Sequence, residues 1–420
     1  MKTKALRLYG EKDIRIEEFE LPEIQSDEIL AEVVTDSLCM SSFKAVSQGA
    51  NHKKVPNNVS ENPIILGHEF CCKIIKTGSL WHNDYKEGDK YCIQPNIGTK
   101  SNSAPGYSYK FIGGDATYII IPKEVMENGC LLPFKGDTYF EGSLVEPLSC
   151  VIGAFNANYH LKKTFSYEHV MGIKEGGNIA ILGATGPMGF LAIDYAMHGP
   201  KKPSMIVVTG RTQSKIDLAK KLYTQEEAEK EGIKLIYVNT RDMENTAEYL
   251  KSLTDNNRGF DDVFVFAPSK ELIKDGADIL SYDGCLNFFS GPSNKDFSAE
   301  INFYDIHYNA THFLGTSGGN TDDMKEAIKL IEDKKVNVSK IATHILGLDS
   351  SKEATLNLPN ISGGKKIVYT HKCFPLIEVD NILNLDNNII IKEIKEIIER
   401  NNGLWCKEAE DFLLDNVPNI

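Results

Sequence analysis

Ile179-Ala-Ile-Leu-Gly-Ala-Thr-Gly-Pro-Met-Gly-Phe-Leu191 runs an apolar strand straight into three closely spaced glycines and then into an apolar helical pattern that continues to Met197. The pyrophosphate of a dinucleotide needs those three things in that order: a tight turn, a bare backbone, and a helix N-terminus with free N–H groups. Gly186 and Gly189 keep the spacing of the last two glycines of G-x-G-x-x-G, while Ala184 stands where the first would be and Gly183 precedes it. In this strand–turn–helix setting the stretch predicts a nucleotide site over Gly183, Ala184, Gly186, Pro187, Met188 and Gly189; the alternative is a tight structural turn.

Outward from the turn, short apolar runs at 205–209, 235–238, 263–267 and 285–290 alternate with charged helical stretches. That alternation predicts a parallel sheet wound on both faces, with Ala267 at the end of one strand beside the cofactor; 285–290 is a candidate sheet edge. The end of the second strand reads Val207-Val-Thr-Gly-Arg-Thr-Gln-Ser-Lys215. An NAD site usually carries an acid there for the ribose 2′-hydroxyl. Here Gly210 is followed by Arg211, with Lys215 nearby, and a guanidinium can fork onto a 2′-phosphate. NADP(H) is therefore expected in preference to NAD(H). The alternative is a solvated Arg211 and an NAD site without its acid.

The chain has 420 residues, 41% of them hydrophobic and 25% charged, enough for two or three domains with sizeable cores. Its net charge of −13 argues against a general nucleic-acid or anionic-membrane binder. Nine cysteines without a C-x-x-C pair read as reduced, cytoplasmic usage, and the charge-strewn first eighteen residues show no secretory h-region. The first 150 residues are β-rich, with runs at 5–8, 14–19, 28–34 and 118–121, and a Pro-, Gly- and Ser-rich stretch at 94–115 predicts a long loop.

Four candidate metal ligands fall in that β-rich part: Cys39 in Ser37-Leu-Cys-Met-Ser-Ser42, His68 and Glu69 in Ile65-Leu-Gly-His-Glu-Phe70, and Glu146 in Ser143-Leu-Val-Glu-Pro-Leu148. Thiolate, imidazole and carboxylate together suit zinc, and three protein ligands with an open position is the catalytic arrangement. Taken singly, each has an ordinary reading: a core thiol, a hydrogen-bonding histidine, a helix-start acid. Spacing alone cannot join residues so far apart.

The order Cys39-x-Ser41, Gly67-His68-Glu69 and Leu144-Val-Glu-Pro-Leu148, followed by the turn at 183, resembles the zinc-dependent medium-chain alcohol dehydrogenases, polyol branch, over about residues 3–370. The turn Gly315-Thr-Ser-Gly-Gly319 and the helix after it resemble that family's return into its catalytic domain. Arg7-Leu-Tyr-Gly10, Asp36-Ser-Leu-Cys-Met-Ser-Ser42, Gln48-Gly-Ala-Asn-His-Lys-Lys-Val-Pro56, Ala104-Pro-Gly-Tyr-Ser108 and Phe111-Ile-Gly-Gly114 are similar to a narrower group, the L-sorbose 1-phosphate reductases.

The resemblance implies an α/β architecture. A GroES-like β-rich catalytic domain over 1–155 and 315–372 would accompany a Rossmann doubly wound parallel-sheet domain over 156–314 and a C-terminal helical extension over 373–420. It implies zinc held by Cys39 and His68, with Glu69 as ligand or close neighbour and Glu146 binding directly or through water. Ser41 would relay the proton; where many relatives continue the relay with His or Asp, this chain has Ser42 and Lys44. Of the cysteine cluster that builds a structural zinc lobe in many relatives, only Cys92 is present, so one catalytic zinc is expected and no second.

The implied reaction is hydride transfer from NADPH to a ketose phosphate, in a cleft between the two domains. Lys44, His52, Lys53 and Lys54 are the candidate phosphate rim, or else a solvated charge run. Homodimers or homotetramers are expected. The rival readings are an NAD-dependent zinc polyol or threonine-type dehydrogenase on an unphosphorylated substrate, a metal-free quinone-reductase-like enzyme, and a non-catalytic dinucleotide-binding protein.

Overall fold

The computed structural model describes residues 1–164, 166–382 and 389–420. It divides into two compact units: Met1–Glu146, Ala327–Glu332 and Val338–Ile420 form one, and Pro147–Glu326 with Asp333–Asn337 the other. Each has its own sheet system and core.

In the second unit six strands lie in the order Lys234–Asn239, Met205–Gly210, Asn178–Leu182, Phe260–Val265, Leu280–Phe288, His312–Gly315, all parallel. Four of them, including Asn178–Leu182 and Met205–Gly210, are buried along most or all of their length, as befits strands covered on both faces. The order reverses between Asn178–Leu182 and Phe260–Val265, and such a switch point opens a crevice at the carboxyl ends of the strands. This is the doubly wound α/β arrangement that the alternating pattern predicts. One expectation is corrected. The 285–290 run is not an edge: Leu280–Phe288 pairs on both sides, and the edge beyond it is His312–Gly315. A buried run of this kind carries no signal of which strand ends the sheet.

The first unit is built on an eight-stranded sheet in which Ile29–Ser37 is the hub. It pairs antiparallel with Phe70–Thr77, Tyr118–Ile121 and Lys365–Tyr369. A smaller sheet of Asp13–Glu20, Lys2–Gly10 and Ile64–Ile65 stands beside it. Both are filled by alternate Ile, Val, Leu and Ala side chains.

The tail belongs to this first unit; 383–388, inside the expected extension, lie outside the described residues. In the sequence, isoleucines at 389, 391, 394, 397 and 398 recur at helical spacing, and Ile394, Ile397 and Ile398 of helix Ile389–Arg400 are buried. Trp405 is fully buried and donates Nε1–H to the Tyr369 hydroxyl at 2.7 Å. Glu410 accepts from the backbone N–H groups of Tyr139 and Phe140 at 2.7 and 2.8 Å and from Tyr369 Oη at 3.0 Å. It thereby caps helix Tyr139–Ser143, just ahead of the helix that carries Glu146. No helix among the described residues is long and apolar enough to cross a membrane.

Burial pushes the Glu410 carboxyl up to about 7, against the three donors that favour its charged form. An unfolded glutamate titrates at about 4.3. With the folded value the higher, the stabilisation linked to the protonated form is complete below the unfolded value and is lost as pH rises through about 7. Urea midpoints followed by tryptophan fluorescence should therefore fall between about pH 4 and 7, and Glu410→Gln should flatten that fall; an equal slope in both proteins would refute the assignment.

Candidate active site

Cys39 is the residue before helix Met40–Gln48, reached directly from the hub strand Ile29–Ser37. Its carbonyl accepts from Ser42 N at 3.0 Å, so the first turn of that helix sets the positions of Cys39, Ser41 and Ser42 together. His68 and Glu69 come from the neighbouring strand entry, ahead of Phe70–Thr77. Gly67 makes that entry possible. Its φ is +87°, and a Cβ there would run into Asp36 and the backbone of Asp115. Asp36 in turn accepts from Glu69 N at 3.0 Å. Sheet register does the rest: Asp36 faces Phe70 and Ser37 faces Ile367 across the two ladders of the hub strand.

The outcome is convergence. Ligand atoms of Cys39, His68 and Glu69 all lie within 4.8 Å of one another. Ser41 Oγ is 3.0 Å from Cys39 Sγ and 3.2 Å from His68 Nε2. The other ring nitrogen, Nδ1, is 3.2 Å from Ser42 Oγ, which fixes the ring with Nε2 on the Ser41 side. Glu69 is not a free carboxylate. Lys365 Nζ lies 2.5 Å from each of its oxygens, and Ser37 Oγ donates to one of them. Glu146, half-buried at the start of helix Val145–Ala157, is close enough for its charge to act on Cys39, Tyr107, Lys54 and Lys365.

The electrostatics fit a cation. Burial pushes the Cys39 thiol up to about 12, with Glu69 and Glu146 adding to the rise and Lys365 opposing it. Burial also pulls His68 down to about 4, so its imidazole is neutral with a lone pair to offer. Sulfur, imidazole and carboxylate at this separation are a donor set for zinc, whose positive charge would reverse the penalty on the thiolate.

Two groups in the site escaped the sequence reading. Tyr107, in the long loop, donates its hydroxyl to Ser41 Oγ at 2.8 Å and lies 3.2 Å from His68 Nε2. Burial holds its pKa well above the ordinary tyrosine value, so it stays a donor. The run Lys365-Lys-Ile-Val-Tyr369 reads in the sequence as a strand and nothing more. Burial works against its ammonium, but Glu69 and Cys39 outweigh that and hold its pKa above the ordinary lysine value. Of the candidate phosphate rim, Lys53 is exposed and Lys44, His52 and Lys54 are half-buried.

In the second unit the glycine turn sits at the switch point. Gly183 takes φ +67°, and a Cβ there would press on Ala267 at 3.0 Å, which places Ala267 against the turn. Gly186 precedes helix Pro187–His198, whose first residue, Pro187, needs no N–H partner; a Cβ at 186 would meet nothing within 4 Å. Gly189 lets the helix approach the Ala184 carbonyl, where any Cβ would collide. Bare backbone, open space and a helix N-terminus fit a pyrophosphate. At the end of Met205–Gly210, a Cβ on Gly210 would lie 2.5 Å from Thr185 Cγ2, so the place of an acid is sterically closed. Arg211 and Lys215 next to it are exposed.

Residues 187–333 match the family model described as zinc-binding dehydrogenase, and residues 25–128 that of the alcohol dehydrogenase GroES-like domain. The chain is 52% identical over 419 residues to L-sorbose 1-phosphate reductase of Klebsiella pneumoniae, covering 100% of this chain and 98% of that one. It is 45% identical over 414 residues to mannitol-1-phosphate 5-dehydrogenase of Aliivibrio fischeri, covering 98% and 97%. The crystal structure of 2R,3R-butanediol dehydrogenase from Bacillus subtilis shares the fold, with a TM-score of 0.70 over 88% of this chain and 99% of that chain at 22% identity.

The Glu69–Lys365 side chains are 2% and 5% exposed, so removing one partner strands a buried charge. Lys365→Met should cost about 3–5 kcal/mol in urea unfolding. Adding Glu69→Gln should restore most of that; a single variant as stable as wild type would show that the pair is not held out of water.

Proposed function

The chain belongs to the zinc-binding alcohol and polyol dehydrogenases, and from that premise we propose that it reduces the carbonyl of a ketose phosphate by hydride transfer from NADPH. The reaction it fits is L-sorbose 1-phosphate plus NADPH and a proton giving D-glucitol 6-phosphate and NADP⁺. The observation that carries this reading is the meeting of Cys39, His68 and Glu69 donor atoms within 4.8 Å. It occurs in a chain that matches a ketose-phosphate reductase along its whole length.

Cys39 and His68 are the sulfur and nitrogen ligands in this reading, and the carboxylates of Glu69 and Glu146 complete the donor set. A zinc ion held there would supply Lewis-acid polarisation of the carbonyl oxygen. Lys365 offsets the charge of Glu69, so that the set is not over-acidic. Ser41 carries the proton for the developing alkoxide. Tyr107, kept protonated by burial, holds the Ser41 hydroxyl in place and stands ready to return a hydrogen bond as that proton leaves. Ser42 anchors the far side of the imidazole.

In the nucleotide unit, Gly183, Ala184, Gly186, Pro187, Met188 and Gly189 cradle the pyrophosphate and Ala267 closes the turn. Gly210, Arg211 and Lys215 receive the adenosine end. With the acid position blocked by Thr185 and a guanidinium beside it, a ribose 2′-phosphate is favoured over a 2′-hydroxyl. The names of both curated relatives put a phosphate on the sugar. They differ in its position: the carbon next to the ketose carbonyl in one, the end of the chain far from the reacting carbon in the other.

Three outcomes test this. A panel of ketose phosphates and free ketoses, run with both cofactors, should show NADPH oxidation that a chelator abolishes; Cys39→Ser should retain no stoichiometric zinc and nearly no activity. Full activity in the metal-free variant would leave the quinone-reductase-like mechanism standing. Arg211→Leu should lower kcat/KM for NADPH about tenfold or more relative to NADH, the scale of a charge-assisted hydrogen bond. An unmoved ratio would return the site to NAD.

A further inference from the structure

We propose that Lys54 is the residue that reads the substrate phosphate, and that its position selects sugars phosphorylated on the carbon adjacent to the carbonyl. The inference rests on the ketose-phosphate reading above and goes further, because it names one cation and one phosphate position.

The four candidate cations are not equivalent. Lys53 is exposed, and Lys44 already has an interaction of its own. Lys54 is half-buried, and its ammonium stands 5.2 Å from the centroid of the Tyr107 ring. The same ring lies 4.8 Å from that of His68, with its hydroxyl 2.8 Å from Ser41 Oγ. One aromatic side chain thus separates the ammonium from the nitrogen and the hydroxyl that face the reacting oxygen.

The backbone around Lys54 is fixed. Ser108 Oγ donates to its carbonyl at 2.7 Å and accepts from Ala104 N at 3.0 Å, tying the 52–54 segment to the loop that carries Tyr107. His52 stacks on the outer part of this arrangement, its ring 5.7 Å from Tyr107 and tilted by 15°. Among the described residues no hydrogen bond or ion pair engages the Lys54 ammonium; what it has is the ring face. Burial and the charge of Lys53 both work against its protonation, and only Glu146 favours it. A half-buried cation with so little to offset its desolvation gains from an arriving anion.

Chemistry sets the reach. In a 2-ketose 1-phosphate the phosphate hangs from the carbon bonded to the carbonyl, so when the oxygen lies at the metal donors the phosphate lies in the adjoining space. In a 2-ketose 6-phosphate four carbons intervene, and the phosphate is carried beyond a cation seated one ring away. Lys54 on the Tyr107 face therefore suits the first and is overshot by the second.

D-Fructose 1-phosphate, D-fructose 6-phosphate and D-fructose share carbonyl and chain length and differ in phosphate placement, so they isolate the effect. With the zinc-loaded enzyme and NADPH, kcat/KM should rank the 1-phosphate above the 6-phosphate. Lys54→Met, which keeps the stem over Tyr107, should shrink the 1-phosphate preference over both other sugars about thirtyfold, mainly through KM. Lys54→Arg should keep it within about fivefold. Calorimetric binding of D-glucitol 6-phosphate to the holoenzyme should weaken in Lys54→Met by a similar factor, a readout independent of turnover.

A preference that survives Lys54→Met, in a variant with wild-type zinc content, overturns the Lys54 assignment and leaves the ketose-phosphate reading intact. A wild-type enzyme that favours the 6-phosphate overturns the position claim. Failure to reduce any ketose phosphate while reducing free ketoses removes both.

Discussion

A buried ion pair underlies the whole of the first unit's chemistry. Glu69 and Lys365 are 296 residues apart in sequence and almost wholly shielded from water. Each would be costly alone, so the fold must bring both or neither. The hub strand Ile29–Ser37 accomplishes this by lying between the strands that carry them, with Asp36 opposite Phe70 and Ser37 opposite Ile367. The same register that closes the pair delivers Cys39 off the end of the hub strand and His68 off the entry of its neighbour. The donor cluster is a consequence of strand pairing.

That origin explains what the sequence could and could not disclose. The nucleotide turn is local: strand, turn and helix follow one another over residues 178–198, and Gly183 and Gly189 answer steric demands that their neighbours impose. It could be read directly. Cys39 and the pair His68 and Glu69 are joined only by sheet register, so the residues suggested zinc chemistry while family resemblance had to suggest their meeting. Tyr107 was quoted in a resembling segment without a role, because a buried tyrosine in a Gly- and Ser-rich loop has no periodic signal. Lys365 sat in an apolar strand, and nothing in Lys-Lys-Ile-Val-Tyr marks one lysine as the partner of a carboxylate near residue 70. Glu410 was hidden in a charged helix for the same reason, although the buried isoleucines of the tail were visible in their spacing. The misplaced sheet edge belongs here too, since strand order in a parallel sheet depends on crossovers that local sequence does not encode.

Electrostatic balance runs through the site. Cys39 is a reluctant thiolate in the protein's own field, pushed up by burial and by two carboxylates and restrained by Lys365 and by the hydrogen bond from Ser41. A divalent cation turns that reluctance into ligation. Around it are groups of fixed protonation: a neutral imidazole, a tyrosine that remains a donor, and a lysine that remains charged. With its neighbours so constrained, the Ser41 hydroxyl is the group that the proposed reaction uses as its proton carrier.

The most direct measurement of the central claim is the zinc K-edge X-ray absorption spectrum of the protein purified with zinc. The account predicts one sulfur scatterer at about 2.3 Å with nitrogen and oxygen scatterers at about 2.0–2.2 Å. Zinc retained in a sulfur-free shell, or no zinc retained at all, would contradict it.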